Sequence, residues 1–264
     1  MQRVNGHQVA EKILARLGSL PVPEKILSLI SFEPSDAFSS FARQQMKTAG
    51  RLGLGVRILY RAETKSTLEL VAELDRFGDD ETVGGLVLQL PLPPRFNKRK
   101  VLASIPPEKD IDALNPATSG IDAPAVLAVE NILRTSHPDR EDADWHGCRA
   151  CIVGAGTLIG RPLHHYFESL GMKSRMLNSK SSLDEIVDAD LVISGTGVPG
   201  LIRPELLKPG ADLIDFGYPG DVKEDDGWLD KVGWYTPAKG GTGPILVACM
   251  FENFYRLCGS LRKN

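Results

Sequence analysis

Residues 149–171 read RACIVGAGTLIGRPLHHYFESLG, and this stretch decides the fold. Arg149 to Val153 is an apolar run of strand length, Gly154, Gly156 and Gly160 follow in a GxGxxxG spacing, and Leu158 to Gly171 has helical apolar spacing. Strand, glycine loop and helix in that order make a phosphate cradle. Glycine permits the tight turn and close backbone approach, and the helix presents free N–H groups and the positive end of its dipole. Gly154, Ala155, Gly156, Thr157 and Gly160 are therefore candidate dinucleotide-binding residues, set against the alternative of a structural glycine turn. An acidic residue about 20 positions on would hold the ribose hydroxyls of NAD, but the next strand ends in Leu177-Asn178-Ser179-Lys180-Ser181. Ser179 and Lys180 suit a ribose phosphate better than a bare ribose, so NADP is expected, with NAD as the alternative.

On both sides of this stretch strands and helices alternate. Strand-like runs are KILSLISF (25–32), LGVRILY (54–60) and GGLVLQLPLPP (84–94) before it, and SRMLN (174–178), DLVISGTG (190–197) and DLIDFG (212–217) after it. Helical spacing marks Val9 to Leu17, Ser39 to Arg51, STLELVAELDRF (66–77), AVLAVENILRTS (125–136), LDEIVDA (183–189) and ILVACMFENFYRLCGSL (245–261). Such alternation predicts parallel sheets flanked by helices. The polar stretch HPDREDADWHG (137–147) reads as an interdomain boundary. The expected architecture is α/β with two domains: residues 1–130, completed by 242–264 as the last helix packs back, and a Rossmann-type dinucleotide domain over 131–241.

At 264 residues the chain is long enough for two modest cores. Thirty-one basic against 34 acidic residues leave a net charge of −3, so neither nucleic acid nor an anionic membrane is expected as a partner. No apolar run is long enough to cross a bilayer, and the N-terminus lacks a signal-peptide core. Cys148 and Cys151 have CxxC spacing, but Cys151 enters an apolar strand and no second CxxC or histidine cluster follows, so no metal site is read. These features predict a reducing, cytoplasmic setting.

Four further segments have compositions that packing alone does not require. Gln89 ends a buried strand and is followed by Pro91 and Pro93; Pro107-Glu108-Lys109-Asp110-Ile111-Asp112 places two carboxylates beside a lysine. Thr196-Gly197-Val198-Pro199-Gly200 closes a strand, and Pro237-Ala238-Lys239-Gly240-Gly241-Thr242-Gly243-Pro244 leads into the last helix. Loops at strand carboxyl ends of two α/β domains make an interdomain cleft the expected ligand site.

In these segments the chain resembles the bifunctional methylenetetrahydrofolate dehydrogenase/cyclohydrolases. VLQLPLP is similar to the family's VQLPLP, PEKDIDALNPATSG to its KDVDG-containing loop, GAGTLIGRP to its GRSxxVGxP loop and PAKGGTGPI to its PVPGGVGPMT segment. The resemblance implies a folate-binding domain, a dinucleotide domain and a homodimer. It also implies hydride transfer from methylene-tetrahydrofolate to NADP, followed by hydrolysis to formyl-tetrahydrofolate. By position, Gln89 corresponds to the amide that hydrogen-bonds a catalytic lysine, and Asp112 to the carboxylate that anchors the pterin. Pro91, Gly241, Gly243 and Pro244 fall in substrate-binding segments; Gly154, Ala155, Gly156 and Ser179 would face the cofactor phosphates, Tyr218, after Gly217, would offer backbone to the nicotinamide end, and Gly197 is a further cofactor-binding candidate.

The pattern breaks in the second helix. The family carries S-x-x-Y-x-x-x-K there, and aligning on Lys47-x-Ala49-x-x-x-Gly53 puts Phe38, Phe41 and Gln45 at the serine, tyrosine and lysine positions. Residues 34 to 50 contain no tyrosine and a single lysine, Lys47, so no register restores the pair. Attack of water on the methenyl carbon needs proton transfer, which an uncharged amide cannot provide, so the cyclohydrolase step is expected to suffer most. Lys239 stands where the family has proline and is the candidate substitute amine, against its reading as a plain surface lysine. Ala155 for arginine, Gly156 for serine and Asn178 for histidine are the remaining departures. Competing functions are a catalytically impaired relative that binds both ligands, and another two-domain dehydrogenase acting on shikimate-like acids.

Overall fold

A computed structural model describes residues 2–32, 40–222 and 231–261. The chain divides into two compact units, one made of residues 11–124 with 247–264 and the other of residues 1–10 with 125–246.

The first unit is built on a three-stranded parallel sheet in the order β3-β2-β4, with β2 Ile26–Ser31, β3 Val56–Tyr60 and β4 Val83–Leu88. Five of the six residues of β2 and all six of β4 are buried, as parallel strands covered on both faces require. Around the sheet lie most of α1 (Gly6–Gly18), α2 (Ser40–Arg51), α3 (Thr67–Asp79) and the short α4 (Lys98–Ala103). Ser66 caps α3, its hydroxyl accepting from the Glu69 N–H at 3.2 Å. Ile30, Leu70, Leu74, Phe77, Leu86 and Val101 form the center of the core.

The second unit holds a six-stranded parallel sheet in the order β1-β9-β8-β7-β5-β6. Its strands are β1 Gln2–Arg3, β5 Arg149–Val153, β6 Lys173–Leu177, β7 Leu191–Ser194, β8 Asp212–Asp215 and β9 Trp234–Tyr235. Here α5 (Pro124–Ser136) precedes the sheet and α6 (Gly160–Ser169) follows β5. The last helix, α7 (Thr242–Leu257), belongs to the first unit from Val247 onward, where the Asn253 amide donates to the carbonyls of Ile111 at 2.9 Å and Asp122 at 2.8 Å.

Three sequence expectations shift. LDEIVDA is not an α-helix: only Leu183–Ile186 coils, as a 3-10 turn, because Ser182 accepts from the Asp184 N–H and the short span to β7 leaves no room for a longer helix. The strand expected over residues 84–94 stops at Leu88, before the prolines, which lack the N–H a ladder needs. The first residues, expected only to lead into a helix, form β1, which pairs in parallel with β9. No helix among the described residues is long and apolar enough to cross a membrane.

Candidate functional site

In the first unit the polar residues gather where β4 ends. The Gln89 N–H continues the ladder to the Ile30 carbonyl at 2.9 Å, which fixes its backbone and turns its half-buried side chain toward α2. There the Gln89 Nε2 donates to the Gln45 Oε1 at 3.1 Å, and the Gln45 Nε2 in turn points at the sulfur of Met250 on α7, 3.3 Å away. Gln45 is 2% exposed. The position that sequence reading assigns to a catalytic amine therefore holds a buried amide whose two ends are both occupied. Phe41 lies one turn earlier on α2 and is half-buried, Lys47 is exposed, and Phe38 lies outside the described residues.

The acidic loop after Pro107 separates three charged residues into different roles. Lys109 is buried and its ammonium donates to the carbonyls of Gly78 and Asp80, both at 2.8 Å, and of Phe77, so it closes the end of α3. Asp110 accepts from the Asn115 N–H and the Thr118 hydroxyl, both at 2.7 Å, and holds the loop together. Asp112, 9% exposed, takes no side-chain hydrogen bond from the described residues; burial first, then the charge of Asp110, lifts its carboxyl to about 8. A buried acid without a protein partner is a group built for a ligand that brings donors. Pro91, two residues after Gln89 and preceded by a cis peptide bond, is exposed.

In the second unit the glycine loop joins β5 to α6. A Cβ on Gly160 would lie 1.8 Å from the Gly154 carbonyl oxygen, so backbone packs on backbone and no other residue fits. Gly154 itself has φ 114°, in the region that favors glycine. Gly156 is different, since nothing lies within 4 Å of a Cβ placed there. Ile159 offers no capping side chain to α6, leaving first-turn N–H groups for an anion, and Ala155 and Thr157 are half-buried at the loop. These features fit a dinucleotide phosphate. Ser179 and Lys180 are exposed after β6, where the Asn178 side chain accepts from the Lys180 N–H at 2.9 Å and shapes the turn.

The remaining loops hang from the carboxyl ends of β7, β8 and β9. Gly197 (φ 71°) and Tyr218 are exposed there, the latter at 73%. In the turn before α7, Lys239 is exposed and Gly241 is buried with a hypothetical Cβ 2.1 Å from the Pro237 carbonyl oxygen; Gly243 and Pro244, in the first turn of α7, are half-buried. Sequence reading missed the two acids beneath these loops, Asp215 and Asp221, although an aspartate closing the apolar DLID strand was a signal for the first. A cavity of about 760 Å³ opens at the opposite ends of the strands, beside Trp145, Asp212 and Trp234; ligands of parallel sheets bind at the carboxyl ends, where the glycine loop is.

Residues 4–112 match the tetrahydrofolate dehydrogenase/cyclohydrolase catalytic domain, and residues 128–261 match the NAD(P)-binding domain of the same family. The chain belongs to the tetrahydrofolate dehydrogenase/cyclohydrolase family. It is 30% identical over 244 residues to the bifunctional protein FolD of Staphylococcus aureus, covering 86% of this chain and 84% of that relative. Among solved structures it is similar to the bifunctional FolD enzyme of Campylobacter jejuni, with a TM-score of 0.85 and 25% identity over 98% of this chain and 99% of that one. The Trypanosoma brucei family enzyme, solved with NADP and an inhibitor, gives a TM-score of 0.84 and 26% identity over 97% and 96% of the two chains. Against the family pattern stated above, the departures at Phe41, Gln45, Ala155, Gly156, Asn178 and Lys239 change side chains, while Gly154 and Gly160, which the backbone requires, remain.

Proposed function

We propose that this chain oxidizes methylene-tetrahydrofolate to methenyl-tetrahydrofolate with NADP, and that hydrolysis of the methenyl product is the weakened step. The observation that carries the folate reading is Asp112, a buried carboxylate that no described protein group satisfies. A pterin offers an amino group and a ring N–H side by side, the donor pair such a carboxylate accepts. Pro91, in the same unit as Asp112, and Gly241, Gly243 and Pro244, in the other unit, are read as substrate-binding from the family resemblance of their segments.

When bound, NADP supplies the hydride acceptor. The chain's own part in that step is orientation. Gly154, Ala155, Gly156, Thr157 and Gly160 cradle the phosphates, Ser179 and Lys180 take the ribose phosphate, and Gly197 and the backbone at Tyr218 border the nicotinamide end. Hydride transfer needs no protein acid or base, so it is retained.

Hydrolysis does need one. The Gln45–Gln89 amide pair holds its shape but carries no titratable proton, and loss of a general acid/base lowers a rate by about 100-fold to 10,000-fold. Residual hydrolysis is assigned to the exposed amine of Lys239, which stands where the family motif has a proline. The product released is then chiefly the methenyl compound. The four free cysteines support a cytoplasmic setting, and the open edge of β3, with Ile58 and Tyr60 exposed, supports a homodimer formed by a second copy.

The test follows reduced cofactor and methenyl-tetrahydrofolate together after methylene-tetrahydrofolate and NADP are mixed with the full chain. Matched appearance of both is expected, with slow decay of the methenyl signal. Absence of cofactor reduction overturns the dehydrogenase reading, and rapid enzyme-dependent decay overturns the weakened hydrolysis.

A further inference from the structure

Beneath the loops at the carboxyl ends of β7 and β8 lie two buried acids that the chemistry above does not use. Asp221 is fully buried, and one of its oxygens, Oδ2, accepts from the Thr196 N–H at 2.7 Å, from the Thr196 hydroxyl at 2.8 Å and from the Ser194 hydroxyl. Asp215 is 3% exposed; its Oδ1 accepts from the Gly217 N–H at 2.7 Å, and its Oδ2 accepts from the N–H groups of Asp221 at 2.8 Å and Val222 at 3.1 Å. The backbone of Asp215 is tied as well, its N–H donating to the Thr236 hydroxyl at 2.8 Å and its carbonyl accepting from the Thr242 hydroxyl at 2.9 Å.

The second oxygen of Asp221 is buried with no hydrogen-bond partner among the described residues, and it packs so closely on Gly217 that a Cβ there would lie 2.2 Å away. Fold stability does not call for such an arrangement, because an apolar side chain could fill the space without an orphaned charge-bearing oxygen. What the two acids do is set geometry. Asp221 fixes the start of the 196–200 loop, Asp215 fixes the 217–222 turn, and the Asp221 N–H links one acid to the other.

We propose that Asp221, seated on Asp215, is the positioning residue for the nicotinamide end of the dinucleotide, setting the 196–200 loop and the Gly217–Tyr218 turn as one unit. It acts through Ser194, Thr196 and Gly217 and does not itself touch the cofactor. The inference rests on the dinucleotide reading of this unit. Hydride transfer tolerates little misplacement of the reacting atoms, so loosening this lattice affects NADP orientation, while folate binding through Asp112, a residue of the other unit, is expected to persist.

Two full-length variants test it, Asp221→Asn and the milder Ser194→Ala, by NADP calorimetry, amide hydrogen exchange at residues 196–200 and 217–222, and binding of a reduced folate as the check on folding. For Asp221→Asn, NADP affinity is expected to fall about tenfold, the effect of weakening one buried charged hydrogen-bond set, with faster exchange in both loops and unchanged folate binding. Ser194→Ala is expected to give the same pattern at about threefold, because one donor of three is removed. Unchanged NADP affinity and loop exchange in a variant that binds folate overturns the inference while leaving the dinucleotide reading intact. If Asp221→Asn does not fold, Ser194→Ala decides by the same criteria. Failure of the wild-type chain to bind NADP overturns both.

Discussion

The glycine loop of the six-stranded unit and the Gln45–Gln89 corner of the three-stranded unit have diverged to different depths. At the loop, the contacts that matter are made by backbone: Gly160 packs against the Gly154 carbonyl, and the N–H groups at the start of α6 are left without a side-chain cap. Substitutions there, such as Gly156 in place of the family's serine, leave the backbone path unaltered, because a Cβ at Gly156 meets nothing. At the corner, the proposed proton transfer depends on what the side chain can ionize, and Gln45, which aligns with the family's lysine, presents an amide hydrogen-bonded to Gln89. Binding built on main chain outlasts changes of side chain, whereas proton transfer does not.

The sharpest way to break this contrast is Gly160→Ala. Its Cβ would sit 1.8 Å from a backbone oxygen, and a shift of the loop by about 1 Å can cost 100-fold in function, so NADP affinity is expected to fall by at least about that factor when titrated by calorimetry. Near-normal affinity would mean that the loop is not the phosphate cradle. Next in size is Gln45→Lys. An amine in that 2%-exposed position is desolvated, which lowers its pKa toward the working range of a general base, and methenyl hydrolysis is expected to rise by about 100-fold. Unchanged hydrolysis in a folded variant would show that the proton moves elsewhere. In the unmutated background, Lys239→Ala is expected to remove the residual hydrolysis, and persistence of the same turnover would make it a plain surface lysine.

A smaller effect sharpens the folate side. The carboxyl of Asp112 stands at about 8 against its ordinary 3.8, so between those values the folded chain holds a proton that the unfolded chain has released. Its stability contribution is therefore present below about pH 4 and is lost as pH rises through 8. A pterin that donates two N–H groups prefers the ionized form, so folate affinity is expected to rise by as much as about tenfold per pH unit from 6 to 8 and then level off. Calorimetry at several pH values measures this, and Asp112→Asn is expected to flatten the profile. The smallest change is Gly156→Ser, expected to alter NADP affinity by less than about twofold, since the open site accepts the new side chain without displacement.

Much of this was legible in the chain. Strands with long apolar runs, such as ILSLIS and VGGLVL, are buried on both faces, and their period-free hydrophobicity announces a parallel sheet. The glycine loop was legible for the same local reason: spacing between a strand and a helix is set within a dozen residues. The amide at position 45, with no tyrosine and only Lys47 as lysine in residues 34–50, was legible too, because it is a matter of residue type. Elements stabilized only by distant partners were not. β1 has two residues and no periodicity, and it is a strand because β9, more than two hundred positions away, offers it a ladder. LDEIVDA has helical spacing, yet a nearby cap and a short connection permit only one 3-10 turn.

The sequence by itself determined the residue chemistry and the local elements: an α/β chain with a glycine loop between strand and helix, an amide at position 45 and a loop that sets Asp110 and Asp112 beside Lys109. Only the tertiary structure decided what each polar group is free to do. Lys109, Asp110 and Asp112 stand within four positions, yet the first is consumed by the end of α3, the second by its own loop, and the third is left open. The reason is physical: reactivity follows from desolvation and from which hydrogen-bond partners are already taken, and both are set by residues far apart in the chain.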